Sequence, residues 1–293
     1  MIGYSWIYIV VIAAEILFSH LQHRPIYSWK ETVTNFYLSL LNGGIDLLIR
    51  GAYFLVMTVC FSWRILDVES TLLYWAGLFL LTDFLFYWMH RMEHFCRLFW
   101  AVHITHHSGE HMNLSVGFRA SVLQPVYRFI FFLPLAFLGF HPADILLMYS
   151  IMQFWTVFVH TGYSGRIPVF DLIFVTPSHH RVHHASNIRY LDKNMGMVLI
   201  VWDRLFGTFQ REMDEKSYEP IRYGLLTPLP DNRASTIILH EWLNIRRDLF
   251  TSGLPLRTKL KYLFYPPGWS HDGKRKTSRQ LQSAENRPAT DKM

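Results

Sequence analysis

The sequence predicts an all-α membrane protein: a polytopic helical bundle of about four to five spans, with a cytoplasmic helical cap that carries a histidine-rich two-metal site. Three observations predict it. Of the 293 residues 51% are hydrophobic, 16% aromatic and only 17% charged, more apolar and less charged than a soluble domain normally is. Apolar stretches long enough to cross a bilayer recur along the chain. Ten of the sixteen histidines fall into four groups at the ends of those stretches.

The elements follow in order. Residues 2–18 are nearly all apolar, interrupted by Glu15, and lack the basic start and small-residue cleavage site of a signal peptide, so they read as a retained first span. A second span covers about 36–61. Within it Asp46 and Arg50 lie four apart on one helix face and must pair or face other helices, because bare charge in hydrocarbon is costly. Residues 71–89 form a third span that runs directly into His90. Residues 122–140 and 143–159, split by Gly139-Phe-His-Pro142, read as a hairpin of two spans that returns the chain to the same boundary at His160. The tail from about His271 is polar and reads as disordered. The domain reading is therefore 1–70 as N-terminal spans, 71–210 as the catalytic region, 211–270 as a C-terminal cytoplasmic segment and 271–293 as a basic tail. No internal repeat is visible.

The formal net charge of +6 does not point to nucleic acid, because the basic residues are scattered through loops beside the spans and gathered in the tail. Arg91, Arg97, Arg119, Arg166, Arg181 and Arg189 follow the third and fifth spans, with Lys274, Arg275, Lys276, Arg279, Arg287 and Lys292 behind them. The loop near His141 has neither Lys nor Arg. The positive-inside bias thus places the histidines on the cytoplasmic side, the N-terminus outside and the C-terminus inside, with Arg64 alone against the rule. That means the inner membrane of a bacterium, or the endoplasmic reticulum membrane of a eukaryote. Cys60 and Cys96 form no CxxC and read as packing residues.

The histidine groups carry the chemistry. Residues four apart share a helix face, so His90 and His94 can hold one ion from successive turns. His103, His106 and His107 repeat the spacing, as do His180, His183 and His184, with His179 able to pair toward His183. His160 stands alone at the end of a span. One metal ion takes roughly four to six donors, so ten clustered imidazoles imply two ions. Asp83 and Tyr87 lie on the stripe of His90, where a carboxylate could accept the outer N–H of a ligating imidazole and fix its tautomer. A lone HxxxH pair can be an accident of composition; two HxxHH triples in one chain cannot reasonably be. His20, His23, His141, His240 and His271 lack partners at helical spacing, and His111, four after His107, stays open.

Read together, these groups resemble the eight-histidine pattern of the fatty acid hydroxylase and sterol desaturase superfamily. The stretch Phe99-Trp-Ala-Val-His-Ile-Thr-His-His-Ser108 with Glu110 and Asn113-Leu-Ser is similar to its alkylglycerol monooxygenase branch. So is Thr176-Pro-Ser-His-His-Arg-Val-His-His-Ala185, followed by Asn187, Tyr190, Asp192, Lys193, Asn194 and Trp202-Asp-Arg-Leu-Phe-Gly-Thr208. The resemblance covers about residues 36–210. It implies His90, His94, His103, His106, His107, His180, His183 and His184 as core ligands, His160 and His179 as additions, and Asp83, Tyr87, Asn113, Asn187, Asp192 and Asn194 as residues that orient them. It further implies two iron ions and O2 as cosubstrate, acting on an unactivated C–H bond of a membrane lipid by hydroxylation or desaturation. Gly109 and His111 depart from the branch pattern, which bears on its pterin dependence and ether-lipid substrate rather than on the metal site. No flavin fingerprint, cytochrome b5-like segment or CxxC cluster is present, so a separate electron donor or a small reductant such as tetrahydrobiopterin must supply electrons.

Two other classes remain to be set against this. His90-Arg-Met-Glu-His94 also fits the inverted zinc-protease pattern HxxEH, with Glu93 as general base, but leaves eight clustered histidines unexplained. A metal carrier would need ligands inside successive spans, whereas here they stop at one membrane edge.

Overall fold

Several helices begin where serine or proline supplies a start, Ser28 and Ser70 as caps and Pro125, Pro142 and Pro177 in a first turn. The computed structural model describes residues 5–286 except 69, 164, 166, 167 and 215; Arg166, Arg287 and Lys292, used above for orientation, lie outside the described residues. The first helix, α1 (Ser5–Leu21), turns its interrupting Glu15 inward. That carboxylate accepts from Tyr27 Oη (2.5 Å), Thr161 Oγ1 (2.5 Å), Leu114 N (2.7 Å) and Gly162 N (3.2 Å), clasping α1 to three other segments.

Helix α2 (Trp29–Ser62) starts at an N-capping Ser28 and has 34 residues, about 50 Å of helix. The expected Asp46–Arg50 pair forms, and Arg128 joins it at 2.6 Å from the other carboxylate oxygen. Helix α3 (Thr71–Phe95), capped by Ser70, has 25 residues, about 37 Å, and continues past the expected end through both His90 and His94. Among the described residues these two helices are long and apolar enough to cross a membrane, and only 17% of the apolar window of α2 and 28% of that of α3 is buried. Leu48 is 84% exposed and Leu72 78% exposed, which suits a hydrocarbon surround and not water. The chain is a membrane protein.

After α4 (Arg97–His107), the expected span 122–140 is not one helix. It is broken into α5 (Pro125–Arg128), a 3₁₀ turn (Phe129–Phe132) and α6 (Leu133–Phe137). The reason is local: Pro125 and Pro134 lack the N–H a continuing helix needs, and each sits instead in the first turn of a new one. The arm still reaches the far end of α2, where Ile65 N donates to Phe137 O at 2.9 Å. Gly139 turns there with φ +103°, and a Cβ would collide with the Leu66 carbonyl. Helix α7 (Pro142–Phe158) has 17 residues and returns the chain to His160. An apolar core of Met57, Leu78, Phe132, Leu135, Ile145 and Met152 fills the space between these elements.

The rest of the chain, α8 (Pro177–His184), α9 (Val201–Phe206), α10 (Ala234–Leu249), α11 (Leu256–Phe264) and α12 (Ser278–Glu285), covers the histidine end. No strand occurs among the described residues, only two isolated bridges, so the all-α reading holds. The tail read as disordered is instead folded through Asn286. Thr277 and Gln280 form a capping box that starts α12, and Gln282 Nε2 donates to Ile188 O (3.1 Å) and Leu191 O (2.9 Å). Polar composition misleads there because backbone carbonyls, not apolar side chains, are the partners.

Candidate metal centre

Nine histidines converge where α3, α4 and α8 meet. His90, His94, His103, His107 and His183 form one group and His106, His160, His180 and His184 another, the ligand nitrogens of each lying within 4.8 Å of one another. Helical spacing explains the partition. His103 and His107 face one group and His106, a third of a turn away, faces the other; on α8 His180 and His184 share one face while His183 looks back to the first. The groups adjoin, with the His107 and His184 rings stacked at 4.6 Å and those of His180 and His183 at 5.3 Å.

The outer nitrogens fix which face of each ring is basic. Nδ1 of His90 lies 2.8 Å from Met195 O, of His183 2.9 Å from Lys193 O, of His106 3.0 Å from Arg119 O and of His160 2.6 Å from Thr156 O. A carbonyl only accepts, so each Nδ1 carries the proton and each Nε2 presents a lone pair inward. His106 Nε2 and His160 Nε2 therefore face each other at 3.3 Å as two acceptors, which repel unless a cation lies between. Nε2 of His94 and of His183 is buried without a hydrogen-bond partner. Burial pushes the imidazoles of His103, His107, His180, His183 and His184 well down, and that of His106 to about 4, so they stay neutral at physiological pH. Buried, neutral, inward-facing imidazoles suit a transition metal ion in each group.

Two carboxylates touch the outer nitrogens. Asp192 Oδ1 lies 3.2 Å from His94 Nδ1. Its turn is built for delivery: Asp192 (φ 55°) and Asn194 (φ 54°) are both left-handed, a conformation Asp and Asn tolerate, and between them Lys193 offers its carbonyl to His183. Glu93 Oε2 lies 3.2 Å from His103 Nδ1, close but off the line of a good hydrogen bond. Its other oxygen accepts from Tyr127 Oη (2.6 Å) and Gln124 Nε2 (2.8 Å). Glu93 thus sits behind a ligand, not beside the inward lone pairs where a protease base would act. Sequence reasoning weighed Glu93 only as that base, and the backbone carbonyls that orient the rings have no side-chain signal at all.

Several expected residues stand elsewhere. His179 belongs to neither group; its Nδ1 faces Thr176 N at 3.3 Å in the capping box that starts α8. Asp83 touches no imidazole. It accepts from Val198 N (2.9 Å), Leu199 N (3.1 Å) and Trp202 Nε1 (2.9 Å), and Asp203 holds Met195 N (2.7 Å) and Gly196 N (2.8 Å), so the two acids shape the loop whose Met195 carbonyl orients His90. Tyr87 pairs with Thr208 Oγ1 at 2.9 Å. Asn113 caps the 3₁₀ turn Leu114–Phe118, Asn187 pins Pro220 and Arg222, and Asn194 holds His179 O and the backbone of Gln210. His111 is bound by Glu31 at 2.9 Å and takes no part.

A cavity of about 740 Å³ reaches His94, His107, His183 and His184. Trp100, Ile104, Leu191 and Leu225 line its walls, and α10 with the segment around Gly268 and Lys276 closes it. Arg97 anchors that cover from α4, meeting Glu241 Oε1 and Asp248 Oδ2 at 2.6 Å each.

A model of the fatty acid hydroxylase family matches residues 75–208. Alkylglycerol monooxygenase of Homo sapiens is 40% identical over 200 residues, 67% of this chain and 42% of that protein. The Xenopus tropicalis alkylglycerol monooxygenase is 30% identical over 301 residues, 91% of this chain and 65% of that protein. Lathosterol oxidase of Homo sapiens is 28% identical over 146 residues, 48% of this chain and 46% of that protein. The chain spans about half the length of the curated relatives it matches. No solved structure matches it.

Proposed function

The chain belongs to the fatty acid hydroxylase and sterol desaturase superfamily, and from that premise we propose that it is a multi-pass membrane oxygenase that hydroxylates a C–H bond of an alkyl or ether lipid. The observation that carries the reading is the convergence of nine inward-facing imidazoles in two adjoining groups at the wall of a cavity. His90, His94, His103, His107 and His183 would hold one ion, and His106, His160, His180 and His184 the other. Two iron ions bound there would supply the activation of O2 needed to attack an unactivated C–H bond.

The protein's own part is positioning. Met195, Lys193, Arg119 and Thr156 carbonyls, with Asp192, hold the ring tautomers, so ligands need not reorganise on binding. The apolar part of the cavity wall, Trp100, Ile104, Leu191 and Leu225, would pack against a hydrocarbon chain and bring one of its carbons to the histidine edge. The similarity to alkylglycerol monooxygenases supports an alkylglycerol ether as substrate. Electrons would come from a separate donor protein or from a small reductant such as tetrahydrobiopterin. The cap would face the cytoplasm, on the Lys/Arg distribution.

Incubating membranes that contain the protein with ¹⁸O2, alkyl lipids and sterols tests the reading. Label in an alkyl lipid product, or in the aldehyde it releases, is the expected result. A newly unsaturated sterol with the label in water would replace hydroxylation by desaturation.

A further inference from the structure

The α10–α11 hairpin carries apolar and basic surface that the metal site does not use. Phe250 at its tip is 79% exposed, and Leu256, Leu260 and Phe264, four residues apart on α11, form one exposed stripe. From 246 to 264 the charged residues are Arg246, Arg247, Arg257, Lys259 and Lys261 against Asp248 alone, and Asp248 is engaged by Arg97 and Arg275. The hairpin is fixed at the end of a membrane helix: Arg97 N donates to Tyr265 O at 3.1 Å, and Cys96 Sγ lies 3.6 Å from Leu263 O. There Met92 and Phe95 of α3 are themselves exposed, so the stripe continues the apolar surface of the span.

The geometry points to α10–α11 as a monotopic foot that lies in the headgroup region of an anionic leaflet, its apolar stripe among the upper acyl chains and its basic residues among the lipid phosphates. An amphipathic helix with Leu and Phe on one face and Lys/Arg beside it has the chemistry of an interfacial helix, and anionic lipid is the partner its charge fits. Because α10 also walls the cavity with Thr236, His240 and Leu243, the foot seats the mouth of that cavity on the membrane surface.

The test needs no catalytic activity, so its outcome is separate from that of the oxygenase reading. Full-length protein in nanodiscs of anionic lipid is labelled with bimane at Leu256→Cys, Leu260→Cys or, as reference, Lys216→Cys in the cap; the native Cys60 and Cys96 are buried. Lipids bearing a nitroxide near the head of the acyl chain should quench Leu256→Cys and Leu260→Cys several-fold more than Lys216→Cys. Charge reversal by Arg257→Glu with Lys259→Glu should lessen the quenching at Leu260→Cys, and wild-type quenching after reversal would overturn the anionic assignment. Quenching no greater than the reference would overturn the foot altogether. So would disulfide cross-linking of Leu260→Cys between copies without quenching, since a second copy would then cover the stripe.

Discussion

Asp83→Asn separates an acid that touches a ligand from one that shapes the loop behind it. The carboxylate is fully buried and accepts three N–H groups, from Val198, Leu199 and Trp202, at 2.9–3.1 Å. Asparagine keeps one acceptor oxygen and points an NH2 group at the remaining N–H donors. A hydrogen bond to a charged acceptor contributes about 1.5–3 kcal/mol and a stranded buried donor costs about 1–3 kcal/mol. Relief of carboxylate desolvation offsets part of this, leaving a net loss of about 2–4 kcal/mol. Thermal unfolding should therefore move down by about 5–10 °C. Because the loosened loop also carries the Met195 carbonyl, affinity for the ion held by His90 should fall about 10–100-fold. Metal titration followed by elemental analysis should show the ion of the His106 group retained while the other is lost. Wild-type melting together with two tightly held ions would refute the reasoning.

Further expectations follow from the same geometry. His183→Ala should abolish turnover and release an ion from the first group, whereas His179→Ala should keep both ions and lose about 1 kcal/mol, the worth of a helix cap; loss of metal in His179→Ala, read by elemental analysis, would restore it as a ligand. Iron-loaded protein should hold about two ions per chain, as one ion takes roughly four to six donors, and zinc at full activity would contradict the iron assignment. In metal-free protein the imidazoles of His103, His106, His107, His180, His183 and His184 have folded-state values below the unfolded value of about 6.5, that of His106 being about 4. The unfolded chain then binds the protons, so the stability these groups contribute is present above about pH 6.5 and lost as pH falls toward 4; melting measured across that range should fall with acid, and a flat profile would count against buried neutral rings. Arg97→Ala removes the charge partner of Glu241 and leaves Asp248 with Arg275 alone, and should cost about 3 kcal/mol, seen as faster proteolysis between α10 and α12.

The sequence by itself determined the helical class, the two helices α2 and α3 that are long and apolar enough to span a membrane, and nine of the ten singled-out histidines that the fold gathers into two groups, because hydropathy and the spacing of four along a helix are local properties. It also marked Asp192, whose motif position proved to be a contact with His94. Tertiary structure decided the rest. The spacing within 103–107 and 180–184 states which imidazoles share a helix face, but that His90 and His94 join His103, His107 and His183, while His160 joins the other group, depends on how distant segments pack. His179 has the right spacing yet is drawn into the cap of its own helix, since a local hydrogen bond outcompetes a distant one. Pro125 and Pro134 broke a run that hydropathy alone reads as continuous. Asp83 orients a ligand through a loop more than a hundred residues away, and the carbonyls of Met195, Lys193, Arg119 and Thr156 that aim the rings belong to the backbone, which every residue shares and no motif can mark.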